Sequence, residues 1–335
     1  MYNHYVPRFY LANFSGSSQY INKYIIKIGK IVPKASLRST GGVDNLYGKK
    51  GDIEKALSQL EGEWAKLVRE IIKSSCIPTD ENSNELIRLF FIIGNARTLK
   101  KAQEEIEQFS VLYKSIAQMY KDHGKLDLSD ETIASISAKM EIPNLYPLKQ
   151  AYDLLPMIND LELRLIINKS SIDFVTTDNP VSMYNQLFID RKYFRPYGYE
   201  HIGVQVFMPI SPKHCLVLFD AKPYRLRLFY NGTFTTNDPL IIRRLNRLFV
   251  AYAFNEIYFG DNASDQSILL LADHRLRHPL SSSRKEIKGK DSHLIFLHNP
   301  SYWYGLGDNF FSSRKEFLNS AFPSHMEGPV RSMQP

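Results

Sequence analysis

The spacing of apolar residues changes once along the chain, near Leu161, and that change limits what the chain can fold into. Before it, Ile53, Leu57, Leu60, Trp64, Leu67, Val68 and Ile71 recur at three- and four-residue steps, which places them on one face of a helix. Asp52 suits the start of that helix and Pro78 stops it. A second helix is expected from residue 80 or 82 to about residue 121, with Leu86, Phe90 and Ile93 in its early stripe, a third over 130–140 and a fourth over 147–159. After the change, the segments LELRLIIN, IDFVTT, VQVFMPI, CLVLFD, YRLRLFY, EIYFG and SHLIFLHN read as strands, interrupted by one amphipathic helix over 238–255. Ahead of everything, Pro7 opens a short helix with Phe9, Tyr10, Leu11 and Phe14 on its greasy face, and residues 20–32 read as a hairpin turning at Gly29. Helices gathered apart from strands argue for an α+β fold, with a helical N-terminal half packed on a mainly antiparallel sheet formed by the C-terminal half. No Pro/Gly/Ser-rich linker divides the two, so residues 1–304 are expected to share one core, with 305–335 as a loosely ordered tail.

Composition excludes more than it proves. The chain has 335 residues, 44% hydrophobic and 23% charged, which is the balance of a folded rather than a disordered chain. No apolar run reaches the roughly 18 residues that span a bilayer, and the N-terminus lacks the layout of a secretory signal, so no membrane role is expected and the cytoplasm is the default. The only two cysteines, Cys76 and Cys215, sit in apolar company and read as buried free thiols of a reducing compartment. A net charge of +7 leans toward polyanions. There is no Walker A loop, no GxGxxG after a strand, no HExxH and no CxxC; His274 and His278 have helical spacing, but no third ligand accompanies them.

Several segments resemble one family. HYVPRFYLANF at residues 4–14 is similar to the signature opening of the bacterial family known as domain of unknown function 4238. DNLYG at 44–48, the helix bearing Glu54 and Glu61, Arg97 in the next helix, FVTTDNPV at 174–181, MPISP at 208–212, and Asn246 with Ala251 follow in the family's order. Arg8 departs from it, standing where glutamine is expected. The resemblance spans roughly residues 3–260 and implies no established activity; it implies a standalone bacterial protein, with genome defence or a toxin-like role as a weak expectation.

The residues open to chemistry are few. His4 titrates near neutral pH and suits a general acid or base, or else a polar tether to a backbone carbonyl. Asp178 and Asn179 follow an apolar strand and precede Pro180; Asp178 suits a base or a ligand of a divalent metal, Asn179 suits orienting a substrate, and an Asx-turn is the structural alternative. Glu61 and Arg97 border apolar stripes, so each needs a charged or polar partner; an ion pair joining two helices is the economical reading, phosphate binding by Arg97 the functional one. Tyr47 joins them in the polar set. Arg191, Lys192 and Arg195 interleave with aromatics, Arg243, Arg244 and Arg247 flank a helix stripe, and Arg8 adds charge at the N-terminus; this pattern suits nucleic acid, unless these are solvated faces. Together these point to a nuclease acting on RNA, with His4, Asp178, Asn179 and Arg97 as its catalytic set. The alternative is a non-catalytic binding or sensor protein acting through a protein partner, in which His4, Tyr47, Glu61, Arg97 and Asp178 form a buried polar network.

Overall fold

The structure, a computed structural model, describes residues 2–16, 19–189, 198–225, 231–288, 293–301, 305–306 and 312–314. In chain order the elements are β1 (Tyr2–His4), α1 (Arg8–Ala12), β2 (Tyr20–Ile25), β3 (Lys30–Ser36), β4 (Gly42–Asp44), α2 (Asp52–Ser74), α3 (Glu81–Ala96), α4 (Leu99–Asp122), α5 (Asp130–Ser135) and α6 (Leu145–Leu154). They continue with β5 (Glu162–Asn168), β6 (Thr176–Thr177), β7 (Ser182–Tyr184), β8 (Gln205–Ser211), β9 (His214–Phe219), β10 (Tyr224–Arg225), β11 (Thr233–Thr236), α7 (Pro239–Tyr252), β12 (Glu256–Phe259), α8 (Asp265–Arg277), β13 (Ser281–Lys288), β14 (His293–Ser301) and β15 (Ser312–Ser313). The class is α+β. The long helices fall between Asp52 and Leu154, and most strands follow Leu161.

Two sheets carry the fold. One has the order β11-β5-β9-β8-β7, the other β3-β2-β12-β6. The first is antiparallel except that β11 runs parallel to β5. The second joins the N-terminal hairpin to the C-terminal half: β12 lies between β2 and β6, with Ile25 facing Glu256 and Ile257 facing Thr177. The sheets are therefore not the property of the C-terminal half alone. Strands β8 and β9 are buried along their whole length, the pattern of strands covered on both faces. Val6, Tyr10, Leu11 and Phe14 of the N-terminal segment share one buried cluster with Trp64, Phe90, Phe207, Leu216, Leu245 and Leu306.

Four expected elements differ, each for a visible reason. The helix expected to run from about residue 80 to 121 is two helices. Thr98 turns to extended backbone and its side chain accepts from the Lys101 amide, starting α4 afresh, while the Asn144 carboxamide donates to the carbonyls of Ala96 and Thr98. The third helix stops at Ser135, after which the Ala138 amide donates to Ser110 Oγ at 2.8 Å. The fourth tightens to a 3-10 turn over Leu155–Ile158, where Pro156 has no N–H to continue the α pattern. Only Thr176–Thr177 of IDFVTT join a ladder; residues 173–175 are held by Asn246, which donates to the Asp173 carbonyl at 2.8 Å and accepts from the Val175 amide at 3.1 Å. Cys215 is buried but Cys76 is exposed, because it follows the left-handed cap Ser75 in the surface link from α2 to α3. Most of YRLRLFY, together with the stretch carrying Arg191, Lys192 and Arg195 and most of the tail, lies outside the described residues.

Candidate functional site

The N-terminal polar residues form one network. Arg97 is fully buried at the end of α3, its Nη1 2.7 Å from Glu61 Oε1 of α2. Its Nη2 donates to the His4 carbonyl, and its Nε to the Tyr47 hydroxyl at 3.4 Å. That hydroxyl donates in turn to the Arg97 carbonyl at 3.0 Å. Asn3, which the sequence did not mark, is buried beside them; it donates to Glu54 and accepts from the Tyr47 amide. The guanidinium is thus committed to protein acceptors, which leaves it no fork to offer a phosphate.

His4 takes part through its backbone. Its ring lies 3.2 Å from the Arg38 carbonyl, and burial lowers its pKa from the ordinary histidine value. Asp178 shares no hydrogen bond with His4, although it lies near enough to the next residue, Tyr5, to raise the pKa of that hydroxyl. Its carboxylate accepts from three consecutive amides: Phe254 at 2.8 Å, Asn255 at 2.6 Å and Glu256 at 3.0 Å. This clamps the α7–β12 link onto the end of β6. Of the expected set of His4, Arg97, Asp178 and Asn179, Arg97 meets the His4 carbonyl, while the His4 ring bonds Arg38 and the Asp178 carboxylate bonds the α7–β12 link. The Asp178 bonds also run to a distant segment rather than to its own turn. Among the described residues no group of three or more His, Cys, Asp or Glu is placed to hold a metal ion.

Asn179 is different. It is 3% exposed, and its Nδ2 donates to the Tyr252 carbonyl at 3.0 Å, which fixes the orientation of the amide. Its Oδ1 has no partner among the described residues. Asn179 lines a cleft of about 210 Å³ together with Asn95, Thr98, Lys100, Tyr199 and Tyr252. Lys100 stands in the first turn of α4, where the break after Arg97 turns the chain, and its Nζ lies 5.0 Å from the centre of the Tyr252 ring. It makes no ion pair or hydrogen bond among the described residues, and burial lowers its pKa, with Glu104 and Asp178 pulling the other way. The neighbouring Lys101 is paired with Glu104 at 3.3 Å. Nothing in the spacing of the sequence singles out Lys100. Only the helix break brings it to a wall, and Thr98 was the sole signal of that break.

The basic residues divide. Arg8 is exposed at the start of α1. Arg244 donates to the Leu306 carbonyl at 3.2 Å. Arg243 and Arg247 are exposed one turn apart on α7, make no hydrogen bond or ion pair with the described residues, and line a groove of about 490 Å³ with Ser264 and Ser267. No helix of the described residues is long and apolar enough to cross a membrane.

Fold and cleft together define an α+β protein in which a short N-terminal segment, a TDNP turn and the α7–β12 link are tied into one polar scaffold beside a small cleft. The chain belongs to the family described as Protein of unknown function (DUF4238), whose model matches residues 2–263. No curated protein and no solved structure matches it.

Proposed function

We propose that the protein is a non-catalytic binding or sensor protein that holds a small molecule in the cleft beside Asn179 and passes that state to a protein partner. The observation that carries this reading is the Asn179 carboxamide oxygen, buried at the cleft wall without a donor. An unsatisfied buried acceptor costs roughly 1–3 kcal/mol, a cost that a bound donor removes. His4, Arg97 and Asp178, three of the four residues first suited to catalysis, support the same reading, because their polar side-chain atoms are engaged inside the protein. The test is a small-molecule screen by thermal shift and calorimetry on the full chain, repeated with Gln150→Trp, which places a large ring at the exposed rim of the cleft. Ligands that stabilise the parent and lose affinity in the variant are the expected result. Ligands that bind both proteins alike would remove the cleft from consideration.

A second reading, RNA binding or cleavage, rests on the unpaired Arg243 and Arg247 along their groove. In this reading the two guanidinia take successive phosphates of a single strand. Total RNA, tRNA and single- and double-stranded DNA, each with Mg²⁺, Mn²⁺ or chelator, would be mixed with the parent and with an Arg243→Ala/Arg247→Ala protein. Salt-sensitive binding or cleavage lost in the double variant supports this reading; no binding at low salt ends it.

A further inference from the structure

The cleft also carries information about the chemistry of its ligand, an inference that rests on the binding reading above. Three features bear on it. Asn179 Oδ1 needs a donor, and its amide cannot turn to supply one, because Nδ2 is held by the Tyr252 carbonyl. Lys100 presents an ammonium that makes no ion pair or hydrogen bond among the described residues, backed by the face of the Tyr252 ring at 5.0 Å, with Glu104 and Asp178 near enough to favour its charge without bonding it. A partly buried ammonium with no bonded anion gains from one that reaches it. Of the two carboxylates that line the cleft, Glu104 is engaged by Lys101 and Glu200 faces His201, rather than Lys100. The cleft, at about 210 Å³, is sized for a metabolite fragment and not for a polymer.

We propose that the cleft binds a small anion that carries an O–H or N–H donor close to its charge, the carboxylate or phosphate opposite Lys100 and the donor against Asn179 Oδ1. Hydroxy acids, amino acids and small phosphate esters bearing a hydroxyl share this chemistry. Tyr199, buried beside Asn95, forms part of one wall.

The experiment uses paired probes on the full chain, read by calorimetry. Acetate is compared with glycolate, and methyl phosphate with 2-hydroxyethyl phosphate; each pair differs by one donor, and the two pairs separate carboxylate from phosphate as the favoured anion. The donor-bearing member of the favoured pair is expected to bind about 10-fold more tightly, the ordinary worth of one satisfied bond to a buried group. Lys100→Met should abolish that binding and Lys100→Arg should retain most of it, whereas Lys101→Met should change little. Lys100 makes no hydrogen bond or ion pair with the described residues, so its variants keep the scaffold intact, which an unchanged unfolding midpoint checks. Equal binding of donor and donor-free probes, or undiminished binding in Lys100→Met, overturns the inference. So does silence from all four probes. In that case a neutral or cationic hit from the wider screen, blocked by Gln150→Trp, keeps the binding reading while discarding the anion.

Discussion

Asp178 shows how a single carboxyl can govern both geometry and pH response. It gathers three backbone amides from Phe254 to Glu256, and burial pushes its pKa up from 3.8 to about 6 against the pull of those donors. A raised folded-state value means that folding favours the protonated acid. Its contribution to stability is therefore complete below the unfolded value near 3.8 and declines as the pH rises through about 6. The loss amounts to about 3 kcal/mol. Urea midpoints at several pH values between 4 and 7 should fall with a slope that Asp178→Asn removes; equal slopes in both proteins would sink the assignment. Asp178→Ala strands all three amides and is expected to cost more than about 3 kcal/mol at any pH. The sequence marked Asp178 as unusual because a polar pair closes an apolar strand. It gave no hint of the partners, since amides of a segment more than seventy residues away carry no side-chain signature. Glu61 and Arg97 were easier to read: two charges bordering two apolar stripes have few places to go but each other.

At the scale of elements, the break between α3 and α4 positions the cleft. A continuous helix would carry Lys100 around with the stripe; two helices with a cap between them turn it to the wall. Asn144 Nδ2 holds the break by donating to the carbonyls of Ala96 and Thr98 at 2.8 and 2.9 Å. Asn144→Ala leaves both carbonyls buried without that donor and should cost about 2 kcal/mol in denaturant unfolding. Thr98→Ala removes the cap of α4 and should cost about 1 kcal/mol. If both effects fall within error, the break is set by packing instead. Apolar periodicity runs through this break without interruption, because stripes report which face is buried and say little about where the axis turns. For the same reason α8 escaped detection: its only buried residues are Ile268 and Ala272, too few to make a period visible.

Across the whole molecule, the α+β class was legible from the change of spacing at Leu161, and the pairing of strands was not. Register and sheet order depend on contacts between distant segments, of which alternation says nothing. One such contact is made by the Tyr10 hydroxyl. It donates to the Pro209 carbonyl at 2.5 Å and meets Thr176 Oγ1 at 2.6 Å, so the opening motif, the strand before TDNP and MPISP converge on one oxygen. Tyr10→Phe keeps the ring and removes both bonds, and is expected to cost about 1–3 kcal/mol, measured as a lowered urea midpoint with an unchanged slope.

The sheet that pairs Ile25 with Glu256 also sets a timetable for synthesis. The hairpin formed by β2 and β3 leaves the ribosome early, and its central neighbour β12 only after more than two hundred further residues. At about 5–20 residues per second, the wait is roughly 10–50 seconds. For most of it Val6, Tyr10, Leu11 and Phe14, which end fully or almost fully buried, lack Phe207 and Leu216, the strand residues that share their cluster. The nascent chain thus exposes part of its core early and covers it only after much of the rest is made, so the yield of folded protein should respond to chaperone supply and elongation speed more sharply than the finished fold responds to heat.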